Sequence, residues 1–298
     1  MELSQTDKLR IQQANARKRI ILPDGTELPK LGQGTWNMGD DLSKRQQEIE
    51  ALRLGVELGM TVIDTAEMYG EGKSEEMVGE ALKDIRNQVF LVSKVYPHNA
   101  SKEKIKEACE NSLRRLKTEF LDLYLLHWRG SVPLKDVVEG MEQLKEEGKI
   151  KRWGVSNFDA SAMEELLSIP GGENCQINQV LYHLGSRGIE YELIPWHESH
   201  QIPLMAYSPL AQGGDLNSRL LSSASVNEIG EKYGASPQQI LLAWAMHKEG
   251  IMAIPKSGNP IHTASNGASV EINFTEEELK ELDRAFPAPN HRTSLDII

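Results

Sequence analysis

The sequence predicts an α/β fold, a (β/α)8 TIM barrel with an N-terminal β-hairpin lid, and two observations carry that expectation. Apolar strand-like runs alternate with amphipathic helical patterns at a spacing of about thirty residues, which is βαβα order. There are eight such runs, and the first is not followed by the glycine-rich phosphate loop that an open doubly wound sheet normally brings. A length of 298 residues allows two small domains or one large barrel and by itself does not decide between them.

The elements follow in chain order. Residues 1–19 hold five basic against two acidic side chains, whereas the rest of the chain holds 28 against 42. That break in charge marks residues 1–18 as a separate N-terminal arm, read as a solvated segment or a short helix lying on the barrel. The run Arg17, Lys18, Arg19 resembles a targeting signal in composition, but the structural reading is preferred. Residues 19–22 and 26–29 flank Pro23-Asp24-Gly25, so two short strands joined by a turn are expected there. The strands of the barrel are placed at 31–35, 61–64, 89–94, 121–127, 150–155, 176–179, 203–207 and 251–254. Between them, Val78, Ala81, Leu82, Ile85 and then Val137, Val138, Met141, Leu144 repeat at helical spacing. Ser74, Ser101, Asp159 and Ser236 stand where N-caps belong, the last followed by Pro237. No internal repeat or low-complexity linker divides the chain, so residues 19–298 are read as a single barrel domain.

Two glycine patterns are decoys. Gly32-Gln33-Gly34 begins a dinucleotide fingerprint and lacks its third glycine, and Gly72-Lys73-Ser74 ends like a phosphate loop whose first glycine is replaced by Glu67.

Composition narrows the function. A net charge of -11 argues against a polyanionic partner such as nucleic acid, which needs a basic face. No apolar run has the length of a membrane span and no signal peptide opens the chain, so a cytoplasmic protein is expected. Two cysteines cannot make a disulfide framework, and Cys109 falls on the apolar face of Ile105, Ala108, Leu113 and Leu116, as a packing residue. His197-Glu198-Ser199-His200 lacks the spacing of a zinc helix, and no metal is expected. Trp153 and Trp244 read as core residues.

In an α/β barrel, catalytic groups gather where strands end. Successive strand ends here deliver Trp36, Asp64, Lys94, His127, Ser156 with Asn157, Gln179, Tyr207 with Ser208, and Lys256. Any one of these is commonly a solvated rim residue; eight together have the layout of an active site. Lys94 ends the apolar run 89–93, and an ammonium there needs a partner, which Asp64 at the end of the neighbouring strand can supply. Tyr69 follows in the loop. A phenol beside a cation becomes more acidic than its usual pKa of about 10, which makes Tyr69 the candidate proton donor. His127 can donate a hydrogen bond to a substrate oxygen.

Six segments then carry a resemblance: Ile-Asp-Thr-Ala-Glu-Met-Tyr-Gly at 63–70, Leu-Val-Ser-Lys-Val at 91–95, Leu-Leu-His-Trp at 125–128, Gly-Val-Ser-Asn-Phe at 154–158, Ala-Tyr-Ser-Pro-Leu at 206–210 and Ile-Pro-Lys-Ser at 254–257. In this order and spacing, from about residue 28 to the end, they resemble the aldo-keto reductase family, and most of all its bacterial methylglyoxal-reductase type. The resemblance implies NADPH-dependent reduction of small aldehydes or ketones to alcohols. Asp64, Tyr69, Lys94 and His127 would be the catalytic tetrad, with Lys94 lowering the pKa of Tyr69. Tyr207 would stack under the nicotinamide, while Ser156, Asn157 and Gln179 would hold its carboxamide. Ser208, Leu210 and the loop Gln212-Gly213-Gly214 would follow the pyrophosphate, and Lys256, Ser257 and Asn266 the adenosine end. Many members have arginine where this chain has His262 and glutamate where it has Ser265, which weakens one phosphate and one adenine contact.

Potassium-channel β subunits resemble the same family and act mainly as cofactor-binding accessory proteins; steady turnover separates an enzyme from that alternative. Relatives that reduce steroid double bonds look to have glutamate in place of His127. The substrate pocket is expected between Trp36, Met38, Tyr96, Trp128, the loop 212–221 and the tail 286–298. After His127 only residues 128–132 precede Pro133, and so short a loop favours small carbonyls such as methylglyoxal over steroids, unless the tail closes the mouth. A monomer or weak oligomer is the expected state.

Overall fold

The computed structural model describes residues 3–298. The first two residues of the expected arm lie outside them. Helix α1 (Gln5–Arg17) is capped by Ser4, whose side chain accepts from Asp7 N, and buries Ile11 and Asn15. The Asn15 amide donates to Ile11, Leu58 and Gly267 carbonyls, each at 3.1 Å, which ties the arm to the barrel wall.

Strands β1 (Arg19–Ile21) and β2 (Glu27–Pro29) form the antiparallel hairpin, with Leu22 N bonding Thr26 O across the turn. Ile20, Leu22 and Leu28 pack on Val62, Val92, Leu123, Leu125, Ile177, Met205, Met252 and Ile254. These are the inward side chains of the barrel, so the lid seals the end where its strands begin.

The barrel strands are β3 (Gln33–Gly34), β4 (Val62–Asp64), β5 (Phe90–Val95), β6 (Leu123–Leu126), β7 (Trp153–Ser156), β8 (Asn178–Leu181), β9 (Leu204–Tyr207) and β10 (Ile251–Ala253). They pair in parallel in chain order. The seam between β10 and β3 is closed by Gly32 N to Ala253 O at 2.9 Å and Gly34 N to Pro255 O at 3.0 Å. A Cβ on Gly34 would stand 2.8 Å from Ile254 O, and one on Gly32 3.0 Å from Val62 O. The glycines that imitate a dinucleotide fingerprint are therefore the ones that let the barrel close.

The intervening helices are α2 (Arg45–Glu57), α3 (Lys73–Ala81), α4 (Ile105–Leu116), α5 (Leu134–Glu146), α6 (Ala160–Leu167), α7 (Leu193–His200), α8 (Gly214–Leu221), α9 (Ala224–Tyr233), α10 (Pro237–Ala245), α11 (Pro260–Ala268) and α12 (Glu276–Ala285). In α4 the buried residues Ile105, Ala108, Cys109, Ser112, Leu113 and Leu116 form one stripe at helical spacing. Trp153 and Trp244 are both core residues. Asp159 caps α6 by accepting from Ala162 N, and Ser236 with Gln239 forms a capping box on α10.

Two expected caps are not caps. Ser74 lies within α3, where its buried hydroxyl turns inward to Thr35, 2.8 Å from Oγ1. Helix α4 opens at Ile105 with Lys104 at its cap, and Ser101 meets it through its carbonyl, which accepts from Ile105 N at 2.9 Å. No helix among the described residues is long and apolar enough to cross a membrane.

Candidate active site

The strand register places the charged pair. Asp64 ends β4 opposite Val92, so Lys94, two residues further along β5, has its side chain on the same inward face and reaches past the end of β4. Lys94 is completely buried, and its ammonium donates to Asp64 Oδ2 at 2.7 Å, Thr65 O at 2.8 Å and Tyr69 OH at 3.0 Å. A lysine has three protons to donate, and all three are used. Because the Tyr69 oxygen accepts one of them, its own O–H remains free to donate to a ligand. The second Asp64 oxygen accepts from Gln179 Nε2 at 2.8 Å, and Thr35 Oγ1 donates to Asp64 O at 2.9 Å. The His127 ring meets Tyr69 edge-on with centroids 5.9 Å apart. His127 Nδ1 is buried without a hydrogen-bond partner.

Burial lowers the Lys94 pKa, but Asp64 and Tyr69 beside it outweigh this and hold the ammonium above the ordinary lysine value. For Tyr69 the expectation of an acidified phenol is corrected. Burial raises its pKa above 10, and the opposing pull of Lys94 is the smaller effect. Tyr69 is thus firmly protonated near neutral pH, the form a proton donor needs. Burial, with Lys94 adding to it, pushes His127 down to about 2, so its imidazole is neutral.

A cavity of about 220 Å³ opens over this group, lined by Asp64, Tyr69 and His127 together with Ser156, Asn157, Gln179, Tyr207, Ser208 and Lys256. Lys94 stands behind the wall. Asn157 bridges two neighbours, donating to His127 O at 3.2 Å and accepting from Tyr207 OH at 2.9 Å. Both Asn157 and Ser208 have left-handed backbone, with φ of 59° and 49°. Such strain in non-glycine residues concentrates at functional sites. Leu210, Ser257 and Asn266 lie outside the cavity wall; Ser257 Oγ bonds Asn259 O, and Asn266 is buried in α11.

Trp36 and Trp128 line the cavity. Met38 does not: it is fully buried in the core beside Leu52 and Met77, because the chain turns inward after Trp36. Tyr96 braces Trp128 edge-on at 5.8 Å from behind. Of the loop 212–221, Gln212 reaches the wall. The tail does fold over the mouth. Ile297 and Ile298 line the cavity, held there by Ser186 to Asp296 and by Arg292 to Glu192 at 3.0 Å.

Two contacts that build the site carried no signal in the sequence. The Gln179 bond to Asp64 joins residues 115 positions apart. Glu67 accepts from Tyr96 N at 2.7 Å and Asn99 Nδ2 at 3.2 Å, pinning the loop that carries Tyr69. In the sequence Glu67 broke the phosphate-loop pattern and stood in the 63–70 segment, with no sign of these bonds. Among the described residues, no three His, Cys, Asp or Glu side chains are grouped so as to hold a metal ion. His197 instead bonds Ile202 O through Nδ1 and Asn178 Nδ2 through Nε2.

The sequence profile of the aldo/keto reductase family matches residues 30–286. The chain belongs to that family. Among curated aldo/keto reductase relatives, methylglyoxal reductase YeaE of Escherichia coli strain K12 is 54% identical over 282 residues, covering 95% of this chain and 99% of the relative. The glyoxal reductase of Bacillus subtilis strain 168 is 33% identical, covering 89% and 91%. A crystal structure of an aldo/keto reductase from Klebsiella pneumoniae in complex with NADP and acetate superposes with a TM-score of 0.92 at 49% identity, covering 94% of this chain and 99% of that one.

Proposed function

We propose that this aldo/keto reductase is an NADPH-dependent carbonyl reductase that converts small aldehydes and ketones, including α-dicarbonyls such as methylglyoxal, to alcohols. The observation that carries the reading is the full commitment of the Lys94 protons, one of them to Tyr69 OH, which leaves the phenol proton for the cavity. The relatives named for methylglyoxal and glyoxal, and the neighbour solved with NADP, support it.

The cavity suits a nicotinamide. Its wall offers a tyrosine ring, amides, hydroxyls and one cation, and His127 Nδ1 is a buried polar atom without a partner. When bound, NADPH supplies hydride. Tyr207 offers a ring face whose hydroxyl Asn157 fixes, and Ser156, Asn157 and Gln179 present groups for the carboxamide. Ser208 and, beyond the cavity wall, Leu210 would follow the pyrophosphate, and Lys256, with Ser257 and Asn266 beyond the wall, would hold the adenosine end, Lys256 taking the 2′-phosphate. Neutral His127 hydrogen-bonds the substrate carbonyl, Tyr69 delivers its proton to that oxygen, and Lys94 with Asp64 stabilises the phenolate left behind. Trp36 and Trp128 shape the substrate side.

We also read residues 19–298 as one domain with 1–18 as its arm. The protein is taken as cytoplasmic and monomeric or weakly oligomeric, with neither nucleic acid nor membrane as partner.

The test is Tyr69→Phe. Removing a positioned acid costs roughly a hundredfold to ten-thousandfold in turnover, while NADPH binding, followed by fluorescence titration, should stay within a few-fold of the parent. Turnover within threefold of the parent would overturn the assignment.

A further inference from the structure

The run Arg17-Lys18-Arg19 has no part in the reaction described above, yet the fold draws it together with Lys30 around one cleft. This cleft, of about 360 Å³, is lined by Arg17, Lys18, Arg19, Lys30, His247 and Glu249 among others. It lies away from the active site. Lys30 precedes β3 and Glu249 precedes β10, where the strands begin, whereas Lys256 and the tetrad lie where strands end. Four cations against one carboxylate is an unusual local balance in a chain of net charge -11. We propose that this cleft is a binding site for a small organic anion carrying two or more phosphate or carboxylate groups.

A simpler role for these cations is to satisfy carbonyls at helix ends, and part of the group does so. Lys18 Nζ donates to Ile272 O at 3.1 Å, and Lys30 Nζ to Lys248 O at 2.8 Å. That role does not use up the charge. Lys30 has Glu249 at 3.6 Å, but that carboxylate is 95% exposed and screened by water. Arg17 makes no ion pair among the described residues. Arg19 donates through Nη2 to Glu27 O at 2.8 Å and faces the exposed Glu27 carboxylate at 3.2 Å, but its Nε is buried without a hydrogen bond. Burial, and then repulsion from Lys30, lowers the Lys18 pKa, as expected of positive charge that lacks a full counter-charge. An anion with two charged groups would relieve the repulsion and complete the hydrogen bonding of Arg19, with guanidinium forks well suited to phosphate or carboxylate.

The experiment uses the full chain saturated with NADP+, so that groups holding the cofactor's own phosphates are occupied. Inorganic pyrophosphate and citrate are titrated by calorimetry at constant ionic strength, with chloride as the monovalent control. The expected result is saturable binding at one site per chain and a rise in Tm with either probe, neither seen with chloride. Arg17→Gln, at an exposed position, should weaken binding about tenfold, the scale of one charge-assisted contact. Arg17→Gln with Lys18→Gln should abolish it, and both variants should keep parental turnover, which shows that they fold. Absence of saturable binding, or equal binding by the double variant and the parent, overturns the proposal.

Discussion

At the scale of single residues, Lys94 does two things that mutation can separate. It hydrogen-bonds the Tyr69 oxygen, where the proposed mechanism has it support the phenolate, and it pairs with a buried carboxylate. Lys94→Met should lower turnover at least a hundredfold and also destabilise the fold by about 3–5 kcal/mol, because the buried Asp64 carboxyl, whose pKa burial already raises, loses its counter-charge. Adding Asp64→Asn removes the stranded charge, so the double variant should regain most of the lost Tm and none of the turnover. Thermal melts beside NADPH-oxidation assays check both halves; a double variant no more stable than Lys94→Met would mean that the ion pair is not what the fold requires. At the cofactor, Lys256 lines the cavity while His262 stands exposed and Ser265 spends its carbonyl on Gln239. In the proposed placement of the cofactor, recognition of the 2′-phosphate would fall chiefly on Lys256. Lys256→Ala should raise the KM for NADPH by the tenfold to hundredfold that about 1.5–3 kcal/mol represents, with little change for NADH. Equal effects on the two cofactors would refute that role.

At the scale of elements, the tail and the short loop after β6 together set the size of the pocket. The loop builds little wall, as its length suggests, but the tail supplies what it omits by bringing Ile297 and Ile298 to the cavity. If the cavity of about 220 Å³ takes both nicotinamide and substrate, as proposed, a long apolar substrate has little enclosed surface to bury at about 25 cal/mol per Å². The kcat/KM for methylglyoxal should therefore exceed that for a steroid ketone. Deleting residues 288–298 should narrow that ratio by opening the mouth. An unchanged ratio after truncation would mean that the tail does not bound the substrate.

At the scale of the whole molecule, neutral histidines held inside the fold make stability depend on pH. Burial pushes His183 and His197 down to about 4, and His127 to about 2. In the unfolded chain each takes up a proton near pH 6.5, so below that pH the unfolded state binds more protons and stability falls as acid is added. The contribution is complete above pH 6.5 and is lost progressively towards pH 4, at roughly 1.4 kcal/mol per histidine per pH unit. His197 shows why: protonation of Nε2 would set a second donor against Asn178 Nδ2, which is 3.2 Å away. Tm should drop steadily between pH 7 and pH 5, and His197→Gln should flatten the slope even if it lowers Tm at pH 7. A slope unaltered by that variant would remove His197 from the account.

What the sequence determined by itself follows from local periodicity and from strand ends. Alternating runs called for a barrel, and Asp64, Lys94, His127, Gln179 and Tyr207, at or near the ends of β4, β5, β6, β8 and β9, had to converge on one face, because parallel strands all end on the same side. Caps such as Asp159 and Ser236 were legible because they act on residues three positions away. Only the tertiary structure decided the rest. Ser74 looked like a cap and became a core hydroxyl against Thr35; Met38 looked like a pocket wall and turned into the core. Gln179 clamps Asp64 from across the barrel, and the direction of the Tyr69 pKa reversed because burial outweighed the nearby cation. Each of these depends on which distant side chains meet and on how much water they exclude, and neither is written in the spacing of residues along a chain.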